Sequence, residues 1–239
     1  MGISDSNQSE PSSLSESRSH VLFMDLALFL AVMFLIREVH FSSFGFVANG
    51  LFWSLSTLVV ATWRMKVRGV SWANLGLRKP KQLKTVVVAT SVIIGMAIGS
   101  IIIFQMLTDQ FSWNLAPDTS NEDAASKFGE LKNNWGWFFS IIPFIWLESF
   151  LEEVLDRGFL MNWIERMFSA TLLATVLAVG LQAVIFGFRH SNDFSERSIT
   201  VGLIGLAMGV GYLVFGRNLW PPILAHCALN TISMIDRVG

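Results

Sequence analysis

An all-α polytopic membrane bundle of about seven to eight transmembrane helices is the fold this sequence predicts, and three observations predict it. Of its 239 residues, 52% are hydrophobic and only 15% charged, with 20 Phe, 9 Trp and 6 Pro, and the mean hydropathy is +0.52. Soluble domains carry nearer a quarter of charged residues. Charge-free stretches long enough to cross a hydrocarbon core, which takes about 20 residues, recur along almost the whole chain. The segments between them lack the polar-faced amphipathic helices that a large soluble core would need around it.

Residues 1–20 are rich in Ser and other polar side chains and have no basic segment ahead of an apolar one, so they read as a disordered tail rather than a signal peptide. Apolar runs follow at 21–36, 44–63, 85–107, 135–154, 167–188, 198–215 and 219–235. Segment 64–84 carries Arg64, Lys66, Arg68, Arg78, Lys79, Lys81 and Lys84 without one acid, which the positive-inside bias assigns to the cytoplasm. Segment 109–134, with Asp109, Asp118, Glu122, Asp123 and Glu130 against Lys127 and Lys132, suits the opposite side. Counting back puts the N-terminus in the cytoplasm, and an integral, multi-pass location in a bacterial cytoplasmic membrane is expected. The formal net charge of -1 leaves no basic excess for nucleic acid. The single cysteine, Cys227, forms no internal disulfide. Three units result: the tail 1–20, the N-terminal helices 21–134 with their basic loop 64–84, and a bundle 135–239.

Ionisable groups inside apolar spans are costly and mark function by default. Three clusters qualify. Glu148, Glu152, Glu153, Asp156 and Arg157 continue the run that begins at residue 135, Phe186 to His190 closes the next one, and His226 with Asn230 lies well inside the last. Glu153 precedes Arg157 by four residues, the favourable order for a helical ion pair, so that pair reads as structural. Glu152 points about 100° away and is left for proton chemistry on water. Taken alone, this cluster also fits a solvated interfacial helix. His226 and Asn230 share one stripe of an otherwise apolar helix, which favours a site. His190, at a span end beside Arg189, reads alone as a surface histidine, with Phe186 one turn before it as a wall. Two histidines and a glutamate would also make a His2Glu zinc site, with Glu152, His190 and His226 as ligands, although no HExxH occurs.

Taken in order, the segments Glu152-Glu153-x-x-x-Arg157, Phe186-x-x-x-His190 and His226-x-x-x-Asn230 resemble the EExxxR, FxxxH and HxxxN motifs of the CPBP family, the CAAX proteases and bacteriocin-processing enzymes also called the type II CAAX prenyl endopeptidase or ABI family. The resemblance covers roughly residues 135–235 and includes Arg157-Gly158-Phe159-Leu160 and, earlier, Asn74 to Arg78. It implies an intramembrane endopeptidase whose catalytic residues are Glu152, Glu153, Arg157, His190, His226 and Asn230. Glu152 and His190 would activate a water, His226 and Asn230 would stabilise the oxyanion, and Glu153 and Arg157 would support them. Members of the family are described both as glutamate proteases and as metalloproteases, so zinc is the one cofactor that the resemblance brings into question. The implied partner is a membrane-associated peptide or protein substrate, a CAAX-type tail or a leader peptide.

Two features depart from that pattern: about seven helices are counted where the prenyl protease bundle would have eight, and one residue of the first motif differs. Asp156 stands where the family usually has an aromatic or apolar residue, in a position to compete with Glu153 for Arg157. Simple alternation of spans, with 157–166 as a cytoplasmic connection, also puts Glu152 near one face of the membrane and His190 near the other. Two other function classes stay open: a non-catalytic membrane partner, such as a bacteriocin-immunity or assembly factor whose polar residues only lock helices together, and a small transporter, for which no repeated half is found.

Overall fold

The computed structural model describes residues 11–113, 115, 127–191 and 193–239. Helix α1 spans Pro11–Leu35 and ends in a 3₁₀ turn, Ile36–Glu38; α2 is Phe46–Val67 and α3 Leu83–Phe111. Helix α4, Trp135–Glu153, runs without a break through a π-helical turn, Val154–Leu160, into α5, Met161–Met167. Helices α6, Leu172–Ser191, α7, Glu196–Val214, and α8, Trp220–Val238, complete the bundle. The fold is all-α, as the apolar runs predict.

Five of these helices are long and apolar enough to cross a membrane: Ser19–Glu38, Phe46–Val67, Leu83–Phe111, Leu172–Ser191 and Glu196–Val214. The chain is therefore a multi-pass helical membrane protein. The expectation of seven to eight spans exceeds this number for a chemical reason. Glu148, Glu152 and Glu153 load the second half of α4, and His226, Asn230, Asp236 and Arg237 dilute α8. Large apolar side chains such as Val59, Ile103, Phe139 and Leu172 point outward, where lipid rather than protein would meet them.

The largest difference from the sequence reading lies at 157–166, expected as a cytoplasmic connection. Residues 151–165 are buried without exception, which also removes the solvated interfacial-helix alternative. The turn comes later, where Ser169 and Ala170 take left-handed backbone angles, φ 62° and 52°, so α6 starts five residues after the expected 167. Phe159 and Trp163, stacked with centroids 4.2 Å apart, join Phe29, at 4.6 Å from Phe159, in the main apolar core. At the other end, α1 begins at Pro11, so residues 11–20, expected as tail, are helical; residues 1–10 lie outside the described residues, as do Asp118, Glu122 and Asp123 of the acidic segment.

Neighbours follow from side-chain size. A Cβ on Gly187 of α6 would collide with the Ser198 carbonyl of α7, so these two helices touch backbone to backbone, the usual role of glycine between membrane helices. Helix α4 lies between α2 and α8, while α3 lines α7 and α8. The result brings the middle of the α4–α5 rod, the end of α6 and the middle of α8 together.

Candidate active site

The continuous rod removes the depth problem. Because α4 runs on to Met167, Glu152 sits near the middle of a helix and is level with the end of α6. His190 Nε2 lies 3.7 Å from Glu152 Oε1, and His226 Nε2 lies 3.7 Å from Glu152 Oε2. One imidazole thus faces each carboxylate oxygen, and Glu152 is 8% exposed.

The other ring nitrogens fix the tautomers. His190 Nδ1 is 2.7 Å from the Phe186 carbonyl, and His226 Nδ1 is 2.8 Å from Glu153 Oε1. Both partners only accept, so Nδ1 carries the proton in each ring and Nε2 turns its lone pair toward Glu152. Phe186 packs under both rings, with centroids 4.5 Å from His190 and 5.8 Å from His226. The wall expected for one imidazole serves two.

Glu153 is fully buried and accepts from Arg157 Nη1 at 2.9 Å, the pairing that the four-residue spacing suggests. Arg157 Nη2 donates to the Gly205 carbonyl at 3.1 Å, and its guanidinium lies over the Phe186 ring at 4.4 Å, a cation–π arrangement. Gly205 lets α7 approach closely there: a Cβ would stand 3.0 Å from Phe186 and 3.3 Å from Arg157 Nη2 and crowd both.

Asp156 does not compete for Arg157. It binds Arg189 Nη2 at 2.7 Å, and the same nitrogen donates to Glu152 Oε1 at 3.2 Å. Arg189, read from sequence as part of a surface end, is 4% exposed and is the neighbour of the candidate site that sequence reasoning missed. The signal was present: Asp156 lies one turn after Glu152 and shares its face, so a buried cation was required. Arg189 is the sole Lys or Arg of α6. Its backbone carbonyl in turn accepts from Arg37 Nη1 at 2.6 Å.

Asn230 lies one turn along α8 from His226, as expected, and donates through Nδ2 to Ser149 Oγ at 2.9 Å. That places its amide beside α4, one turn before Glu153, rather than on Glu152. Glu148, on the Glu152 face, accepts from Ser54 of α2 at 2.5 Å. Cys227 points away, its Sγ 3.8 Å from the Trp146 carbonyl.

A zinc ion would need Glu152, His190 and His226 as its ligands. Among the described residues no group of three or more His, Cys, Asp or Glu side chains is arranged to hold a metal ion. The guanidinium of Arg189 already occupies Glu152 Oε1, placing a positive charge where a cation would bind. The described donor set therefore does not fit zinc, and no step below is routed through it.

Residues 134–232 match the family model described as type II CAAX prenyl endopeptidase Rce1-like. Comparison with curated proteins and with solved structures gives no match. The matched residues contain Glu152, Glu153, Arg157, His190, His226 and Asn230, and so cover the whole cluster described above. A domain of the Rce1-like type II CAAX prenyl endopeptidase family thus makes up residues 134–232 of this chain.

Proposed function

We propose that the chain is an intramembrane endopeptidase that hydrolyses a peptide bond in a membrane-associated peptide or protein. The observation that carries this reading is the convergence of two imidazole Nε2 atoms on the two oxygens of one buried carboxylate, each at 3.7 Å. Those gaps are too long for direct hydrogen bonds and suit a bridging water. Glu152 takes a proton from that water as its oxygen attacks the scissile carbonyl; His190 Nε2, whose lone pair faces Glu152, then receives that proton and passes it to the departing amine as the C–N bond breaks, which returns both groups to their starting states. His226, when it carries a second proton, donates from Nε2 to the developing oxyanion while Glu153 balances the charge at Nδ1; the Asn230 amide supplies a further donor after turning from Ser149. Glu153 and Arg157 hold this arrangement.

In this reading the α4–α5 rod and α8 cross the bilayer with the five apolar helices, the basic loop 64–84 faces the cytoplasm and the N-terminus lies on that side. Single cysteines placed at residues 79 and 129 and probed with an impermeant thiol reagent would label from opposite sides; labelling from one side rejects this topology.

One observation favours a second reading, the non-catalytic partner. Buried pairs Glu153–Arg157 and Asp156–Arg189, 2.9 and 2.7 Å, tie the rod to itself and to α6, which helix locking alone would require. Purified protein reconstituted with a panel of membrane-tethered peptides separates the two. The protease reading expects cleavage by the wild type and none by His226→Ala of equal thermal stability. A partner-only role expects no cleavage by either.

A further inference from the structure

Glu153, Asp156 and Arg157 sit on or beside the π-helical turn Val154–Leu160. Such a turn spaces its backbone bonds five residues apart, here from the Met161 amide to the Asp156 carbonyl, and disturbs the carbonyls at its junction with α-helix. In an apolar bundle those carbonyls need donors. Asn162 supplies them: its Nδ2 lies 2.9 Å from the Arg157 carbonyl and 2.8 Å from the Gly158 carbonyl.

Asn162 is itself held from two sides. The Tyr212 hydroxyl oxygen accepts from Nδ2 at 3.0 Å and donates to the Leu75 carbonyl at 2.8 Å. Arg217 Nη1 donates to Asn162 Oδ1 at 3.3 Å, and Arg217 Nη2 to Glu165 at 2.7 Å. Tyr212 is the only tyrosine in the chain and is fully buried. The loop that carries Leu75 is fitted closely to this network, since Gly76 has φ +100° and a Cβ there would collide with the Arg217 carbonyl.

We infer that Asn162 is a positioning residue for the proposed hydrolysis, with Tyr212 as its support. Its amide sets the register of the π-turn, and that register delivers Arg157 to Glu153 and Asp156 to Arg189. Because Glu153 orients His226 and Arg189 touches Glu152, the placement of the water-activating group depends on a side chain that touches none of the reacting atoms. The inference rests on the protease reading.

Asn162→Asp keeps the shape and removes the donors; Tyr212→Phe keeps the ring and removes the hydroxyl, a milder change should the first fail to accumulate. Both would be purified, reconstituted and assayed on a cleaved peptide beside Glu152→Gln. Misplacement of about an ångström lowers kcat by about tenfold to a hundredfold. We expect that loss for Asn162→Asp, a smaller one for Tyr212→Phe, and KM unchanged in both. A role in stability alone predicts a lower thermal midpoint with wild-type kcat and KM in the folded protein, and that result overturns the inference. Amide hydrogen exchange supplies the readout independent of turnover. Faster exchange over residues 154–162, with α3 and α7 as protected as in wild type, is expected; unchanged exchange there rejects a register-setting role. A wild type that cleaves nothing while exchange opens as expected counts against the protease reading and leaves the turn assignment standing.

Discussion

Two charge clusters, each built around buried carboxylates and arginines, differ in how fully they are satisfied. Where α1 meets the end of α2, Asp25 is 1% exposed and has two arginines to itself. Arg64 Nε and Arg68 Nη2 reach Oδ1 at 2.7 and 3.2 Å, and Arg68 Nε reaches Oδ2 at 2.8 Å. Around Glu152 the balance reverses: Glu152, Glu153 and Asp156 share Arg157 and Arg189. There Glu153 Oε2 and Asp156 Oδ1 are buried without a hydrogen-bond partner among the described residues, and two imidazoles stand off at 3.7 Å. A saturated cluster can only hold helices together. One with spare acceptors and lone pairs can bind and move protons, which is why the second and not the first is a candidate site.

That contrast can be broken by mutation. The largest effect is expected for Arg157→Ala, which leaves the Glu153 carboxylate buried and uncompensated, at a cost of about 3–5 kcal/mol. Low yield and a much reduced thermal midpoint in detergent would bear this out; a stable protein would show that Glu153 finds another partner. Asn230→Ala sharpens the other side of the contrast. Loss of one oxyanion donor lowers kcat by about 10²–10³, while the Ser149 bond is worth only about 1 kcal/mol to stability. Equal losses in both would mark Asn230 as structural.

Asp156→Asn comes next. It removes the charge that shares Arg189 with Glu152, and a hydrogen bond to a charged group contributes about 1.5–3 kcal/mol. The thermal midpoint falls less than for Arg157→Ala, because Glu152 remains to pair Arg189. A drop as large would mean that Glu152 contributes nothing at 3.2 Å. The smallest effect is expected for Arg68→Ala, about 1 kcal/mol or less, since Arg64 still holds Asp25 at 2.5 Å. Cleavage by that variant stays at the wild-type rate if the Asp25 cluster is only a staple, and a large loss of activity would contradict the division drawn between the clusters.

The bundle was legible because lipid imposes length and polarity limits that sequence displays directly. The Glu153–Arg157 pair and the Phe186–His190 contact were legible because both are local, one helical turn apart. What escaped notice depends on partners distant in sequence. Residues 148–166 look like a solvated interfacial helix by their alternating charges, yet Asn162 and Glu165 find Tyr212 and Arg217 about fifty positions later. Arg189 looks like a surface end until Asp156 and Glu152 meet it across helices. The continuation of α4 through the π-helical turn to Met167 escaped notice for the same reason, since a buried continuation can look polar when every charge in it is paired.

The central claim is that Glu152, flanked by two imidazoles, activates water for peptide hydrolysis. Cleavage of membrane-tethered peptides by purified wild type and Glu152→Gln, each with and without a strong chelator, tests it most directly. The account predicts turnover by the wild type that survives chelation, and a loss of about 10²–10⁴ in the equally stable variant. Undiminished cleavage by Glu152→Gln would contradict it.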